Sequence, residues 1–211
     1  MMKTVAITGG IGSGKTEVCK FLATRGIPVY DSDSAAKRLY DADDTLLDAI
    51  EEAFGCGIRL PSGRADREKL ASIVFPSPEK LAILEDIIHP AVLQDFRRWK
   101  AMNETVFGNE GPSAVFFGKS PFVVIESAII LNKPAFLRET DRVLLVDAPL
   151  ALRLERASSR DGKDKETVIR RMARQCFDLS KVDAVIHNAG SLADLRSEIE
   201  NVFRRLHFNN S

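Results

Sequence analysis

Gly9-Gly10-Ile11-Gly12-Ser13-Gly14-Lys15-Thr16 carries the residue types and spacing of a phosphate cradle, G-x-x-x-x-G-K-[ST]. Glycines let the main chain curl so tightly that successive N–H groups aim at phosphate oxygens, and a following helix N-terminus adds partial positive charge. Gly10, Ile11, Gly12, Ser13 and Gly14 would then supply backbone amides. Lys15 brings a mobile point charge for the transferring phosphate, and the Thr16 hydroxyl suits a magnesium ion that bridges phosphate oxygens. The bland alternative is a glycine-rich turn capping an ordinary helix, which the Lys-Thr pair disfavours. The expected ligand is a nucleoside triphosphate.

Three carboxylates could complete that chemistry. Asp31-Ser32-Asp33 follows a strand pattern, and if the segment stays extended its two carboxylates project to one side at the ligand-binding edge of an open sheet. One could orient an acceptor hydroxyl and take its proton while the other helps hold metal or water. The alternative is that Asp31 or Ser32 caps the next helix. Glu126 ends another strand pattern at the same expected edge, where it could steady magnesium through water. His89-Pro90 lies between two helical patterns; such a histidine is commonly a cap or a packed residue, and it could also reach an anionic substrate. Nearby Arg64, Arg67, Lys69, Arg97 and Arg98 would suit a phosphate-bearing acceptor. Further on, Arg153, Arg156, Arg160, Arg170, Arg171 and Arg174 crowd one stretch, either to close over a nucleotide or as a solvated charged face interleaved with Glu155, Asp164 and Glu166.

The elements that must position these groups follow from hydrophobic pattern. Apolar runs predict strands at Thr4 to Thr8, Ile27 to Tyr30, Phe122 to Glu126, Arg142 to Val146 and Ala184 to His187. Most run apolar without alternation, as strands covered on both faces do, so the expected fold is α/β with a parallel sheet. About ninety residues separate the second and third strands, far more than one crossover needs, and read as helices at Ser34 to Tyr40, Asp44 to Phe54, Asp66 to Phe75, Pro78 to Ile88 and Pro90 to Met102. Asn103 to Pro121 reads as a long loop. Leu150 to Ser159 and Lys165 to Cys176 read as a helical hairpin around Arg160-Asp161-Gly162-Lys163. Ser77 before Pro78, and Ser191 with Asp194, carry helix-start signals.

The 211 residues, 45% hydrophobic, suffice for one sizeable core with inserted subdomains. Thirty basic residues balance thirty acidic ones, which removes any overall field favouring nucleic acid or an anionic membrane. Neither a leader pattern nor an eighteen-residue apolar stretch is found. Three scattered cysteines, Cys19, Cys56 and Cys176, fit reduced thiols, so the expected compartment is the cytoplasm.

Taken in order, the motifs resemble those of the dephospho-coenzyme A kinase family. The match begins at Thr8 to Thr16, continues through Val29-Tyr30-Asp31-Ser32-Asp33 against that family's D-A-D segment, then Gly63 with Arg67, and His89-Pro90. The C-terminal third adds Arg142-Val143-Leu144-Leu145-Val146-Asp147, Arg156, Arg160-Asp161, Gln175 and Asp183 through Asn188. The resemblance implies a P-loop kinase of three layers with a five-stranded parallel sheet in order 2-3-1-4-5, an inserted helical coenzyme-binding domain and a helical lid. It implies transfer of the ATP γ-phosphate, with Mg2+, to the ribose 3′-hydroxyl of dephospho-CoA, the last step of coenzyme A synthesis. Asp33 is then the expected base, Lys15 and Thr16 serve phosphate and magnesium, and Arg156 and Arg160 are lid arginines for adenine packing or phosphate charge. Asp31, Asp33, Arg67, His89 and Glu126 are the expected acceptor-side residues, with Thr16 and Glu126 at the metal.

The expected organisation is a nucleotide-binding core from 1–40, 118–150 and 179–211, an acceptor subdomain at 41–117 and a lid at 151–178. Partners are expected to be ATP and dephospho-CoA only, without nucleic acid or membrane, in a monomer or small homo-oligomer. Departures from the family pattern are Glu126-Ser127-Ala128-Ile129-Ile130-Leu131-Asn132, where Asn132 replaces a second acid, and His187, where aspartate is common. Competing readings are another small-metabolite or nucleoside kinase on the same core, and a nucleotide-dependent switch. The latter is disfavoured because Asn132-Lys133-Pro134 resembles a guanine-reading motif but lacks its aspartate.

Overall fold

All five residues of Thr4-Val5-Ala6-Ile7-Thr8 are buried, and the strand built on them, β1 (Lys3–Gly9), lies in the middle of the sheet. The computed structural model describes residues 2–107, 121–162, 164–173, 175 and 177–206, with only the main chain at 161. Residues 108–120 of the expected long loop, together with Arg174 and Cys176, lie outside them. Five strands run in the order β2 (Val29–Asp31), β3 (Phe122–Glu126), β1, β4 (Arg142–Asp147), β5 (Ala184–His187). β1 pairs in parallel with β3 and β4, and β4 with β5.

Two compact units divide the chain: residues 1–30 with 100–211, and residues 31–99. The first holds α1 (Lys15–Thr24) and, after β3, α6 (Pro134–Leu137), α7 (Leu150–Asp161), α8 (Lys165–Ala173) and α9 (Leu192–Arg205). Its main core joins Val5, Ile7, Phe122, Val124, Leu144 and Val146 of the sheet to Val18 and Leu22 of α1 and to Leu195, Ile199, Val202 and Phe203 of α9. The Phe122 and Phe203 rings stack at 5.5 Å. α9 starts where the sequence says it should: Ser191 and Asp194 form a reciprocal capping box. A smaller cluster, Ala157, Val168 and Met172, closes the α7–α8 hairpin, with Ile11 and Leu154 packed against it.

The second unit is helical: α2 (Ser32–Ala42), α3 (Asp44–Phe54), α4 (Arg67–Val74) and the N-terminal part of α5 (Pro78–Phe107). Asp31, Asp43 and Asp66 cap α2, α3 and α4, each accepting first-turn backbone N–H bonds that the helix itself cannot satisfy. Between α3 and α4, Arg59 is held by Glu51, by Asp48 at 2.6 Å and by the Asp44 carbonyl at 3.0 Å.

Three expectations are corrected here. β2 begins two residues later than the apolar run because Ile27 N still donates to Leu22 O at the end of α1, and Pro28 has no N–H for the ladder. Pro28 contributes its carbonyl instead, accepting from Val124 N at 2.9 Å. The helix boundary at His89-Pro90, and the loop from Asn103, give way to one helix running from Pro78 to Phe107. Pro90 in the interior costs about 3 kcal/mol. Leu84, Ile88, Val92 and Phe96 recur every four residues across it and are all buried, at roughly 1.5–3 kcal/mol apiece, so their burial outweighs the break. Lastly, Asp31-Ser32-Asp33 does not stay extended. Ser32 opens α2, Asp31 caps it, and Asp33 sits in its first turn.

Candidate functional site: a phosphate cradle backed by a helical hairpin

In the first unit the Gly9–Thr16 loop leaves the C-terminal end of β1 and opens α1, so the first-turn amides of that helix face out of its N-terminus. Gly12 and Gly14 have φ of 74° and 96°, a region side chains avoid. Space forbids side chains too. A Cβ on Gly10 would strike the Arg153 guanidinium, one on Gly12 the Arg153 carbonyl, and one on Gly14 the Asn188 amide. Lys15 Nζ donates to the Gly9 carbonyl at 2.7 Å and the Gly10 carbonyl at 3.3 Å, which parks the ammonium across the mouth of the loop. Thr16 Oγ1 donates to Glu126 Oε1 at 2.9 Å. The two oxygens nominated for metal, 110 residues apart in the chain, therefore stand side by side.

This donor set fits a magnesium nucleotide. Thr16 and Glu126 are hard oxygen ligands of the kind magnesium takes, directly or through its waters. The Ser13 hydroxyl is 1% exposed and has no hydrogen-bond partner among the described residues, leaving a donor within the cradle. Nearby charge is mixed: Lys20 is raised above the ordinary lysine value chiefly by its hydrogen bond to Glu17, then by the Glu17 charge, with Glu126 adding a smaller share.

Three side chains brace the loop, none of which the sequence placed against it. Asn188, just past β5 and 6% exposed, donates from Nδ2 to the Ser13 carbonyl at 2.8 Å, while its own N–H is tied to the Asp147 carbonyl at 2.7 Å. Arg153 Nε donates to the Ile11 carbonyl at 3.0 Å, and Gln175 Oε1 accepts from Ile11 N at 2.8 Å. Asn188 follows a strand at the ligand edge of the sheet, a position that could have flagged it. For Arg153 no local signal existed beyond its presence in an arginine-rich stretch. Arg156 reaches the same region: its guanidinium donates to the Asn188 carbonyl at 3.2 Å. Arg160, one turn on, is exposed.

In the second unit, Asp31 accepts from Asp33 N and Ser34 N, both at 3.0 Å, and from Ser34 Oγ at 2.6 Å. Its carboxylate is committed to the cap, whereas the Asp33 side chain is exposed in the first turn of α2. Arg67 donates to the Lys37 carbonyl at 2.7 Å and to Asp41 at 2.6 Å, so that part of its charge is matched internally. His89 is half-buried on α5.

A parallel sheet with order β2-β3-β1-β4-β5, a glycine cradle at the end of its central strand, and a Lys-Thr pair backed by a strand-end carboxylate define a P-loop kinase. Residues 3–194 match the family model described as dephospho-CoA kinase. The chain belongs to the dephospho-CoA kinase family. It is 40% identical over 174 residues to the dephospho-CoA kinase of Porphyromonas gingivalis, covering 82% of this chain and 78% of that protein. It is 37% identical over 209 residues to that of Chlorobaculum tepidum, covering 96% and 94%. Among solved structures it resembles a Thermus thermophilus protein at 30% identity with a TM-score of 0.73, over 98% of both chains. The fold is also that of the Campylobacter jejuni dephospho-CoA kinase, with a TM-score of 0.59 at 23% identity over 96% of each. No helix among the described residues is long and apolar enough to cross a membrane.

Proposed function

We propose that this enzyme transfers the γ-phosphate of ATP to the ribose 3′-hydroxyl of dephospho-CoA, giving CoA and ADP, in the cytoplasm and with Mg2+ as its metal. The acceptor oxygen forms a bond to the γ-phosphorus as the bond from the β–γ bridging oxygen breaks, with that electron pair leaving on ADP and the hydroxyl proton passing to the Asp33 carboxylate. Lys15 releases the Gly9 and Gly10 carbonyls to follow the charge of the transferring group. Thr16 and Glu126 would hold the metal, which when bound would screen charge on the phosphate oxygens. Arg156 and Arg160 serve the nucleotide from the α7–α8 hairpin, which acts as the lid, while Arg67 and His89 serve the acceptor from the helical unit. Asp31 contributes by setting the first turn of α2 from which Asp33 projects.

The observation that carries this reading is the cradle with Thr16 and Glu126 at 2.9 Å, in a chain that matches the family along most of its length. Mass spectrometry of the acceptor after incubation with ATP and Mg2+ tests it. Dephospho-CoA should gain one phosphoryl group while adenosine, uridine and shikimate gain none; dephospho-CoA left unmodified rejects the proposal.

A further inference from the structure

Ile11 stands at an unremarked position of the phosphate loop, one of the variable letters of the motif, yet it is gripped in three ways by one hairpin. Its carbonyl accepts from Arg153 Nε of α7 at 3.0 Å. Its N–H donates to Gln175 Oε1, two residues past the end of α8, at 2.8 Å. Its side chain packs against the cluster formed by Ala157 of α7 and Val168 and Met172 of α8. The Arg153 backbone also abuts Gly12 closely enough to exclude a Cβ there. Both backbone polar groups of this residue, one in each of the two peptide units that flank its Cα, are thus bonded to side chains of the hairpin, and the apolar branch between them completes its small core.

We infer that Arg153 and Gln175 are positioning residues that act on phosphate transfer through Ile11, fixing the two peptide planes on either side of its Cα in the phosphate loop. The physical argument is one of preorganisation. A loop that cradles phosphate with backbone amides works only if those amides are aimed before the ligand arrives, and glycine-rich backbone has many other conformations available. Turning either peptide unit beside Ile11 would break one of these hydrogen bonds, and displacing the residue would break both and withdraw its side chain from the Ala157–Val168–Met172 cluster. The hairpin therefore supplies the rigidity that the glycines remove. Because both bonds end on one residue, their contributions are coupled rather than additive.

The inference rests on the reading of Gly9–Thr16 as the ATP cradle, and the test separates the two. ATP binding is measured by calorimetry and turnover by ADP release for the wild type, Arg153→Met, Gln175→Leu, the double variant and Ile169→Ala. Ile169 is exposed on α8 and serves as a control. Each single variant is expected to lower kcat/KM for ATP roughly tenfold, the scale of losing one hydrogen bond to a positioned group. The double variant should lose less than the product of the two, KM for dephospho-CoA should stay within twofold, and Arg153→Lys should recover part of the loss. If the wild type binds ATP but Arg153→Met and Gln175→Leu keep kcat/KM within twofold, or lose only thermal stability, the inference is overturned. A wild type that fails to bind ATP overturns the cradle itself.

Discussion

Lys15 illustrates what a single residue contributes here. Its ammonium lies against two loop carbonyls, within reach of whatever the loop holds, and no other lysine of the motif could replace it. Lys15→Ala should lower turnover by on the order of a hundredfold or more, as loss of one preorganised charge donor does in other enzymes, read in a coupled ADP assay. Asp33 should behave differently. It is exposed, and the cap of α2 is Asp31, so Asp33→Asn should keep ATP affinity by calorimetry while phosphate transfer to dephospho-CoA is suppressed. Loss of ATP binding instead would assign Asp33 to the metal or to the architecture. The loop itself was legible in sequence because the motif is local: eight consecutive residues carry its glycines, its lysine and its threonine.

Elements, by contrast, were legible in type but not always in extent. α3 and α9 begin where acidic or hydroxyl caps stand, since a cap acts over three residues. Ser191→Ala should therefore cost about 1 kcal/mol in urea unfolding, the usual value of a lost cap. α5 runs through its proline because Leu84 and Ile88 before it and Val92 and Phe96 after it are all buried. The helical unit also predicts a pH response. Burial pushes the Tyr40 phenol on α2 from the ordinary 10.0 up to about 12, with the Arg67 charge opposing in part. The folded protein then keeps a proton that the unfolded chain releases, so stability is intact below about pH 10 and is lost as pH rises toward 12. Urea midpoints at pH 9 and pH 11.5 should show a drop in the wild type that Tyr40→Phe reduces.

At the scale of the molecule, the sheet and its two flanking helices in the first unit form the foundation on which the cradle rests. Phe203 is 1% exposed and stacked on Phe122, so Phe203→Ala should destabilise unfolding by about 3–5 kcal/mol in urea without altering the chemistry of any site residue. A variant within 1 kcal/mol of wild type would mean that α9 adds little to this core. Five strands, their parallel arrangement, the phosphate loop and the family resemblance were all available from the chain alone. Hydrophobic runs, caps and the glycine-lysine-threonine motif are written in neighbouring residues, and local chemistry acts on neighbours. Only the tertiary structure decided that Asp31 caps α2, that one helix spans Pro90, and that the arms of one hairpin close on Ile11. Arg153 and Gln175 stand 142 and 164 residues away from that peptide. Contacts at such separations are set by how the sheet and helices pack, which no pattern in neighbouring residues encodes.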